Sequence, residues 1–261
     1  VGVVDIADER PVGDGSVPAD ATLDVVDLRH SYDGGHEVLH GVDLRVDAGE
    51  TVALVGSTGA GKSTIAAIAA GSMASTSGTV RVGGASLDSL GHQGLRRHVA
   101  IVSQEVHVFA GPLIDDVLLA APDAGRDDVE AALRTVGAWG WVEALENGLD
   151  TAVGEGGHQL TAAQSQQLAL ARLVLADPAV AVLDEATAEA GSSGARELEL
   201  AAEAATRGRS TLVVAHRLTQ AAAADRVVVL EHGKIVEQGP HDELVAAGGR
   251  YAELWEAWQG R

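Results

Sequence analysis

A glycine-rich stretch has the residue types and the spacing that bind the phosphates of a nucleotide. It matches the phosphate-loop pattern GxxxxGK followed by Ser or Thr at every fixed position, and it reads Gly56, Ser57, Thr58, Gly59, Ala60, Gly61, Lys62, Ser63 and Thr64. Glycines let successive backbone N–H groups point inward at phosphate oxygens. Lys62 supplies a mobile cation for the outer phosphates, and Ser63 offers a hydroxyl to Mg²⁺.

The alternative interpretation is a glycine-rich turn that carries a surface lysine, and the flanking residues argue against it. Thr51–Val55 is an apolar, β-branched run typical of a buried strand, and residues 65–70 are helix formers without a breaker. A phosphate loop requires this order of strand, turn and helix, because the helix N-terminus adds its dipole at the phosphates. The sequence therefore predicts a nucleotide triphosphate site at this turn.

Polar residues also follow the ends of three other apolar runs, each of which reads as a buried strand. Gln104 follows the first run, Asp184 and Glu185 follow the second, and His216 follows the third. In open α/β sheets, ligands bind outside the carboxyl ends of the strands. These side chains are therefore expected to converge with the phosphate loop on one nucleotide.

The rest of the chain alternates between strand and helix patterns, which favours an α/β fold. Strands are expected at 21–29, 38–46, 51–55, 78–82, 99–103, 179–183, 210–215, 227–230 and 234–237, with turns at 31–35 and 232–233. Helical patterns cover 113–147, 162–175 with Thr161 as N-cap, 197–206 and 251–258. We interpret the helical pattern at 113–147 as part of a helical subdomain inserted in the core, in which Trp139 and Trp141 pack against the interior. The helix at 251–258 is expected to dock on the domain through Tyr251, Leu254, Trp255 and Trp258.

Composition limits the class of protein. The length of 261 residues suggests one or two domains, and only 3% of the residues are aromatic, so Ala, Val and Leu must fill the interior. No apolar run approaches the roughly 18–20 residues that span a bilayer. The net charge of −20 argues against direct binding of nucleic acid or anionic lipid, and the absence of cysteine excludes disulfides and thiolate metal sites.

Together these motifs resemble the nucleotide-binding domain of ABC transporters over essentially the whole chain. Residues 56–64 are similar to the Walker A segment, and residues 180–185 to the Walker B segment followed by the catalytic glutamate. Gln104 lies where the family has its Q-loop, and His216 where it has its switch histidine. Tyr32 taken alone favours packing over ligand stacking, but it lies where the family stacks an aromatic ring on adenine.

Three other segments, at 151–156, 238–244 and 249–251, are similar to those of exporter-type members. The resemblance implies an α/β fold with a P-loop NTPase (RecA-like) core, an antiparallel β subdomain and an α-helical subdomain inserted at about 105–176. It also implies that residues 1–20 are a linker from a transmembrane domain absent from this chain, and that residues 21–261 are the nucleotide-binding domain.

ATP and Mg²⁺ are the ligands that the resemblance implies. Ser63 and Gln104 would coordinate Mg²⁺ directly, and Asp184 would hold it through its water shell. Glu185 would orient or deprotonate the attacking water; its alternative role is that of a structural acid beside a metal ligand. The implied catalytic set is Lys62, Gln104, Glu185 and His216, the histidine contacting the γ-phosphate.

The chain departs from the family in its signature, which usually reads LSGGQ and here reads Leu160, Thr161, Ala162, Ala163 and Gln164. In the family the two glycines let a helix N-terminus approach the γ-phosphate of ATP bound to the opposite protomer. A Cβ at Ala162 and Ala163 should hinder that approach or forbid the backbone angles. Ser165 and Gln167 stand where arginines are usual, and the D-loop at 188–191 lacks its aspartate.

Groups that would act on the chain's own nucleotide are thus intact, whereas groups that would act on a partner's nucleotide are altered. The sequence predicts a heterodimer with a homologous nucleotide-binding domain that has an intact signature. The dimer is expected at the cytoplasmic face of the cell membrane, as part of an integral membrane transporter. The fragment itself is expected to be soluble. One site would hydrolyse ATP, and the other would bind ATP and turn over poorly. One alternative is a soluble non-transport ABC ATPase that acts on nucleic acid or ribosomes, which the negative net charge of the chain disfavours. The other is a regulatory ATP-binding module with little hydrolysis.

Overall fold

The computed structural model describes residues 16–32, 35–103, 105–184, 192–215 and 217–259. Gln104, Glu185, His216 and the D-loop at 188–191 therefore lie outside the described residues, as does most of the expected linker at 1–20. The roles assigned to them stay predictions.

Strands and helices alternate along the chain, as the α/β pattern predicts. The strands are β1 Leu23–Tyr32, β2 His36–Val46, β3 Thr51–Val55, β4 Ser77–Val82, β5 Ala85–Ser86, β6 Val99–Val102, β7 Gly111–Pro112, β8 Ala152–Val153, β9 Val180–Asp184, β10 Ser210–Val214, β11 Arg226–Glu231 and β12 Lys234–Gly239. The helices are α1 Lys62–Ala69, α2 Leu87–His98, α3 Leu113–Leu118, α4 Arg126–Thr135, α5 Trp139–Glu143, α6 Ala162–Ala176, α7 Ser192–Thr206, α8 Leu218–Ala223, α9 His241–Ala247 and α10 Arg250–Gln259.

Two larger sheets build the α/β part of the molecule. The first is antiparallel with strand order β2-β1-β4-β5, and the second has the order β12-β11-β3-β10-β9-β6. Strands β11, β3, β10, β9 and β6 are parallel to one another, and β12 is an antiparallel edge strand. The central strands are almost wholly buried, which is why they read as continuous apolar runs in the sequence.

A block of helices, α3 to α6, interrupts the second sheet between β6 and β9. Its apolar side chains pack in one core cluster with β6, β9 and α7, and the fully buried members from the block include Leu113, Leu133, Leu149 and Leu168. The predicted fold class, with an antiparallel β part and an inserted helical part, is confirmed. Among the described helices, none is long and apolar enough to cross a membrane.

Several predicted boundaries are correct, and some are wrong for identifiable reasons. The hairpin turn at His232 and Gly233 is confirmed, because both residues have the positive φ, 46° and 71°, that tight hairpin turns need. The turn expected at 31–35 begins late, since Tyr32 still pairs with His36 as part of β1. Helix α7 covers Ser192–Thr206 rather than starting at 197, so it includes Gly194 despite the low helix propensity of glycine.

The C-terminal helix docks through only part of its predicted apolar stripe. Tyr251 is fully buried, its hydroxyl forms a 2.8 Å hydrogen bond with Nδ1 of His241, and burial raises its pKa to about 12. Leu254 packs beside it, whereas Trp258 is 41% exposed. The docking interpretation is therefore correct for the start of α10 and wrong for Trp258.

Both tryptophans of the helical block pack against its core, as predicted. The indole Nε1 of Trp141 donates a 2.9 Å hydrogen bond to Oε1 of Gln167, and Nε2 of Gln167 donates to the carbonyl of Val136 at 3.3 Å. Gln167 is buried, and both polar atoms of its amide have partners inside the domain. A glutamine at this position is thus compatible with a well-formed α6.

We expect the Gln167→Met variant to lose about 1–3 kcal/mol in the free energy of unfolding, because it leaves the Trp141 indole and the Val136 carbonyl unpaired in the core. Urea denaturation followed by circular dichroism measures this. The matched control is Gln93→Met on the exposed side of α2, which should stay within about 0.5 kcal/mol of the wild type. Equal effects in the two variants would contradict the role of the buried amide.

Candidate nucleotide site

The predicted phosphate loop connects β3 to α1, and its conformation requires glycine. Gly56, Gly59 and Gly61 have φ values of 148°, 81° and 103°. A Cβ on Gly56 would collide with the carbonyl of Leu230, and a Cβ on Gly61 would lie 2.7 Å from Cδ2 of Leu39. The loop therefore packs too closely on its neighbours for any larger residue at these two positions.

The hairpin between β11 and β12 holds the loop from one side. The N–H of Gly233 in the hairpin turn donates to the carbonyl of Ala60 at 3.1 Å. The carbonyl of Gly233 in turn accepts from the N–H of His40 on β2 at 3.0 Å. The turn thus joins the antiparallel sheet to the phosphate loop through backbone hydrogen bonds alone.

Lys62 lies at the start of α1 and is buried despite its charge. Its Nζ donates to the carbonyls of Gly56 at 2.9 Å and of Ser57 at 3.0 Å, so the ammonium lies inside the curve of the loop. A compact ammonium with three donors can bind phosphate oxygens from this position. The arrangement suits the outer phosphates of a nucleotide triphosphate.

The next residue, Ser63, lies beside the end of β9. Its Oγ donates to Oδ1 of Asp184 at 3.1 Å. A hydroxyl and a carboxylate are the oxygen ligands that Mg²⁺ takes, and this ion keeps several waters and phosphate oxygens in its coordination sphere. The two side chains therefore fit Mg²⁺, although the described residues hold no group of three His, Cys, Asp or Glu arranged around a metal.

A cleft of about 410 Å³ opens beside the loop. The residues that line it are Tyr32, His36, Val38, Thr58, Gly59, Gly61, Lys62, Ser63 and Thr64. The sequence indicated all of these except His36 and Val38 at the start of β2. His36 pairs with Tyr32, and this pairing places it at the cleft. The sequence did not indicate this because a turn was expected up to residue 35.

The positions assigned to Gln104, Glu185 and His216 follow described strand ends that lie side by side. Val102 of β6 pairs with Leu183 of β9, and Val214 of β10 pairs with Asp184. On its other side, Val214 pairs with Leu54, directly before the phosphate loop. The carboxyl ends of these strands therefore share the edge of the sheet at which the loop lies.

The signature residues do not line this cleft but lie at the N-terminus of α6. Thr161 is the N-cap, as predicted: its Oγ1 accepts from the N–H of Gln164 at 3.2 Å, and Oε1 of Gln164 accepts from the N–H of Thr161 at 2.9 Å. Neither Ala162 nor Ala163 is among the described residues with positive φ. Alanine thus meets no backbone strain here, and only the bulk of its methyl group distinguishes it from glycine.

A buried ion pair that the sequence did not reveal ties α6 to the segment after β6. The guanidinium of Arg172 on α6 contacts the carboxylate of Asp116 on α3 and donates twice to the carbonyl of His107, both at 3.2 Å. Oδ2 of Asp116 also accepts from the N–H of Phe109 at 2.8 Å. Burial lowers the pKa of Arg172 to about 10, so it stays charged at neutral pH and the carboxylate keeps its partner.

Comparison with known proteins now identifies the group to which this fold and site belong. The family model described as "ABC transporter" matches residues 39–188, more than half of the chain. The chain belongs to the ABC transporter family. This finding confirms the resemblance drawn from the loop and the strand-end residues.

Among its relatives, the multidrug efflux ATP-binding/permease protein of Mycobacterium bovis is 45% identical over 95% of this chain and 20% of its own length. The ATP-dependent lipid A-core flippase of Burkholderia thailandensis is 43% identical over 84% of this chain and 37% of its own length. The structure of a bacterial Atm1-family ABC exporter with ATP bound matches with a TM-score of 0.85 and 30% identity, covering 95% of this chain and 43% of that chain.

This chain thus spans between about a fifth and two fifths of the length of these relatives. It is an ABC ATPase domain of exporter type, from a family whose domains bind ATP with Mg²⁺ and hydrolyse it. The transport activity, substrates and partners of the whole protein belong to the proposal below.

We expect the Gly59→Ala variant to bind ATP more weakly, whereas Gly84→Ala should not. Both glycines have a φ of +81° and no neighbouring atom within 4 Å of an added Cβ, so both variants should lose about 1–2 kcal/mol of stability through backbone strain. Gly59 lines the cleft, and Gly84 lies in the turn between β4 and β5. Isothermal titration with MgATP measures the difference, and equal affinities would argue against phosphate binding at the loop.

Proposed function

We propose that this chain is the ATP-hydrolysing motor domain of an exporter-type ABC transporter and works as a heterodimer with a different nucleotide-binding domain. One observation carries the proposal: the loop, Lys62 and the Ser63–Asp184 pair are assembled around one cleft, while α6 presents alanines where the family's signature has glycines. The partner would supply an intact signature to this cleft. This chain's signature would face the partner's ATP.

The residues of this chain would act by position and charge. The loop N–H groups and Lys62 would bind the β- and γ-phosphates, and Ser63 with Asp184 and Gln104 would hold Mg²⁺, which neutralises charge on those phosphates. Glu185 would orient or deprotonate the attacking water, and His216 would contact the γ-phosphate. Phosphoryl transfer depends mostly on positioning and charge neutralisation, so this set is sufficient on one side of the nucleotide.

Ala162 and Ala163 would limit hydrolysis at the other site. They occupy the first turn of α6, where free N–H groups and the helix dipole attract a phosphate. The side chain of Ala162 is exposed at this end of the helix. Its methyl group would keep the partner's γ-phosphate farther from the helix N-terminus than glycine does, which weakens binding in the transition state more than the binding of ATP itself.

A transmembrane domain would be the second partner, placing the chain at the cytoplasmic face of the cell membrane. Phe109 is 51% exposed, while its backbone N–H donates to Oδ2 of Asp116, and the carboxylate of Asp116 contacts the guanidinium of Arg172. The nearby two-residue strand β7 pairs with β8, with Gly111 opposite Val153. An exposed aromatic ring on a backbone that is anchored in this way, close after the predicted Mg²⁺-site residue Gln104, suits contact with a membrane domain that must respond to ATP.

Restoring the signature tests the unequal sites. We expect the Ala162→Gly/Ala163→Gly double variant of this chain to gain about tenfold or more in ATPase rate over the wild type, because preorganised donors at a reacting phosphate have effects of this order or larger. The gain should rise with protein concentration, since two copies must now complete each other's sites. Steady-state phosphate release measures it.

The matched control for this test is Ala131→Gly, an exposed alanine in α4, which adds a helical glycine far from the signature and should leave the rate unchanged. Adding Glu185→Gln to the double variant should abolish the gained activity. Strong activity of the wild-type chain alone, undiminished by Glu185→Gln, would overturn the heterodimer. No gain in the double variant would show that the alanines are not the limiting feature.

Phe109→Ser should reduce transport by the assembled protein about tenfold while changing ATP affinity less than twofold, because truncating a buried aromatic anchor at an interface has effects of this size. Leu119→Ser is the matched control, since Leu119 is also an exposed apolar residue of the helical block at 57% exposure. Uptake into inside-out vesicles measures transport. Equal losses in both variants would contradict a docking role for Phe109.

A further inference from the structure

His30 is a buried titratable residue that the proposed mechanism does not use. Only 8% of its surface is exposed, and neither of its ring nitrogens has a hydrogen-bond partner among the residues that the structure describes. Buried polar atoms without partners are uncommon and call for a physical reason, because desolvation of the ring is not offset.

The ring of His30 lies against the ring of Tyr32, the residue expected to stack on adenine. Their centroids are 4.8 Å apart and their planes are inclined at 86°, which is the edge-to-face geometry that aromatic pairs prefer. The pairing of β1 with β2 shifts register between His30 and Ser31. The extra residue of this irregularity is Val38 of β2, which lines the cleft together with Tyr32.

Tyr32 is thus held at two points. Its ring contacts His30, and its hydroxyl forms a 3.0 Å hydrogen bond with Oγ1 of Thr64 in the first turn of α1. The side chain still lines the cleft and is 45% exposed. A ring that is fixed by a second ring and at its hydroxyl, yet accessible to the cleft, loses little conformational entropy when a base stacks on it.

We propose that His30 is a positioning residue that fixes the Tyr32 ring for recognition of the adenine base. This inference rests on the proposed ATP-binding function and extends it, because it assigns base recognition to a residue outside the cleft. His30 acts through Tyr32 and does not touch the phosphates. It therefore affects ligands that carry a base and not ligands that carry phosphates alone.

The test compares MgATP with magnesium tripolyphosphate, which has the phosphates and no base, by isothermal titration of the 261-residue chain. We expect His30→Leu to weaken ATP binding about three- to tenfold, the range that corresponds to loss of one aromatic pair, and to leave tripolyphosphate binding unchanged. His30→Phe keeps an aromatic ring at this position and should bind ATP within about twofold of the wild type.

Two controls separate positioning from a general defect. His92→Gln, at an exposed position on α2, should change neither affinity. In a Tyr32→Ala background, His30→Leu should cause no additional loss of ATP affinity, because the ring that it positions is gone. A thermal melt without nucleotide establishes whether each variant is folded. If His30→Leu does not fold, the ATP affinity of His30→Phe still tests the role of the aromatic ring.

Equal weakening of ATP and tripolyphosphate by His30→Leu would overturn the inference, as would unchanged ATP affinity. A loss of ATP affinity in His30→Phe as large as in His30→Leu would overturn it as well, since the aromatic contact would then be irrelevant. These outcomes leave the proposed function intact. Failure of the wild-type chain to bind MgATP would instead overturn the proposed function and this inference together.

Discussion

The close approach of three backbone segments at the phosphate loop is the constraint on which the rest of the structure depends. Gly56 contacts the carbonyl of Leu230, Gly61 contacts Leu39, and a Cβ on Gly233 would collide with the carbonyl of Val38. Backbone hydrogen bonds from Gly233 then join the loop to β2. Because these glycines carry no side chain, the antiparallel sheet, the hairpin and the parallel sheet can approach the loop closely and fix its shape.

The phosphate-loop site and the predicted signature lie on different parts of the fold. The loop follows β3 of the central sheet, Lys62 begins α1, and Asp184 ends β9; both strands are almost wholly buried. The predicted signature lies on α6, whose core cluster also includes Val102, Ala181 and Leu183 of the sheet. The signature positions and the loop therefore lie on different elements of one packed body. The alanines at Ala162 and Ala163, beside an intact loop, are the basis for proposing that the two features serve different nucleotides.

Buried polar pairs account for much of the order in the helical block. The amide of Gln167 pairs with Trp141, and Arg172 pairs with Asp116 and with the backbone of the segment that presents Phe109. Removing one member of such a pair costs more than the pair contributes, because the remaining group stays buried without a partner. These pairs therefore hold α6 and the exposed segment in one arrangement rather than adding much net stability.

The sequence by itself determined the nine longer strands of the described residues, the phosphate loop, the N-cap at Thr161 and the α/β class, because each depends on local periodicity, glycine spacing or capping chemistry. It missed the three two-residue strands described, His36 and Val38 in the cleft, the Arg172–Asp116 pair, the contact of His30 with Tyr32 and the exposure of Trp258. These features join residues far apart in sequence, or depend on how far β1 and β2 continue to pair and on which surface a helix meets. Only tertiary packing decides such features, since no local pattern encodes the distance between two segments of chain.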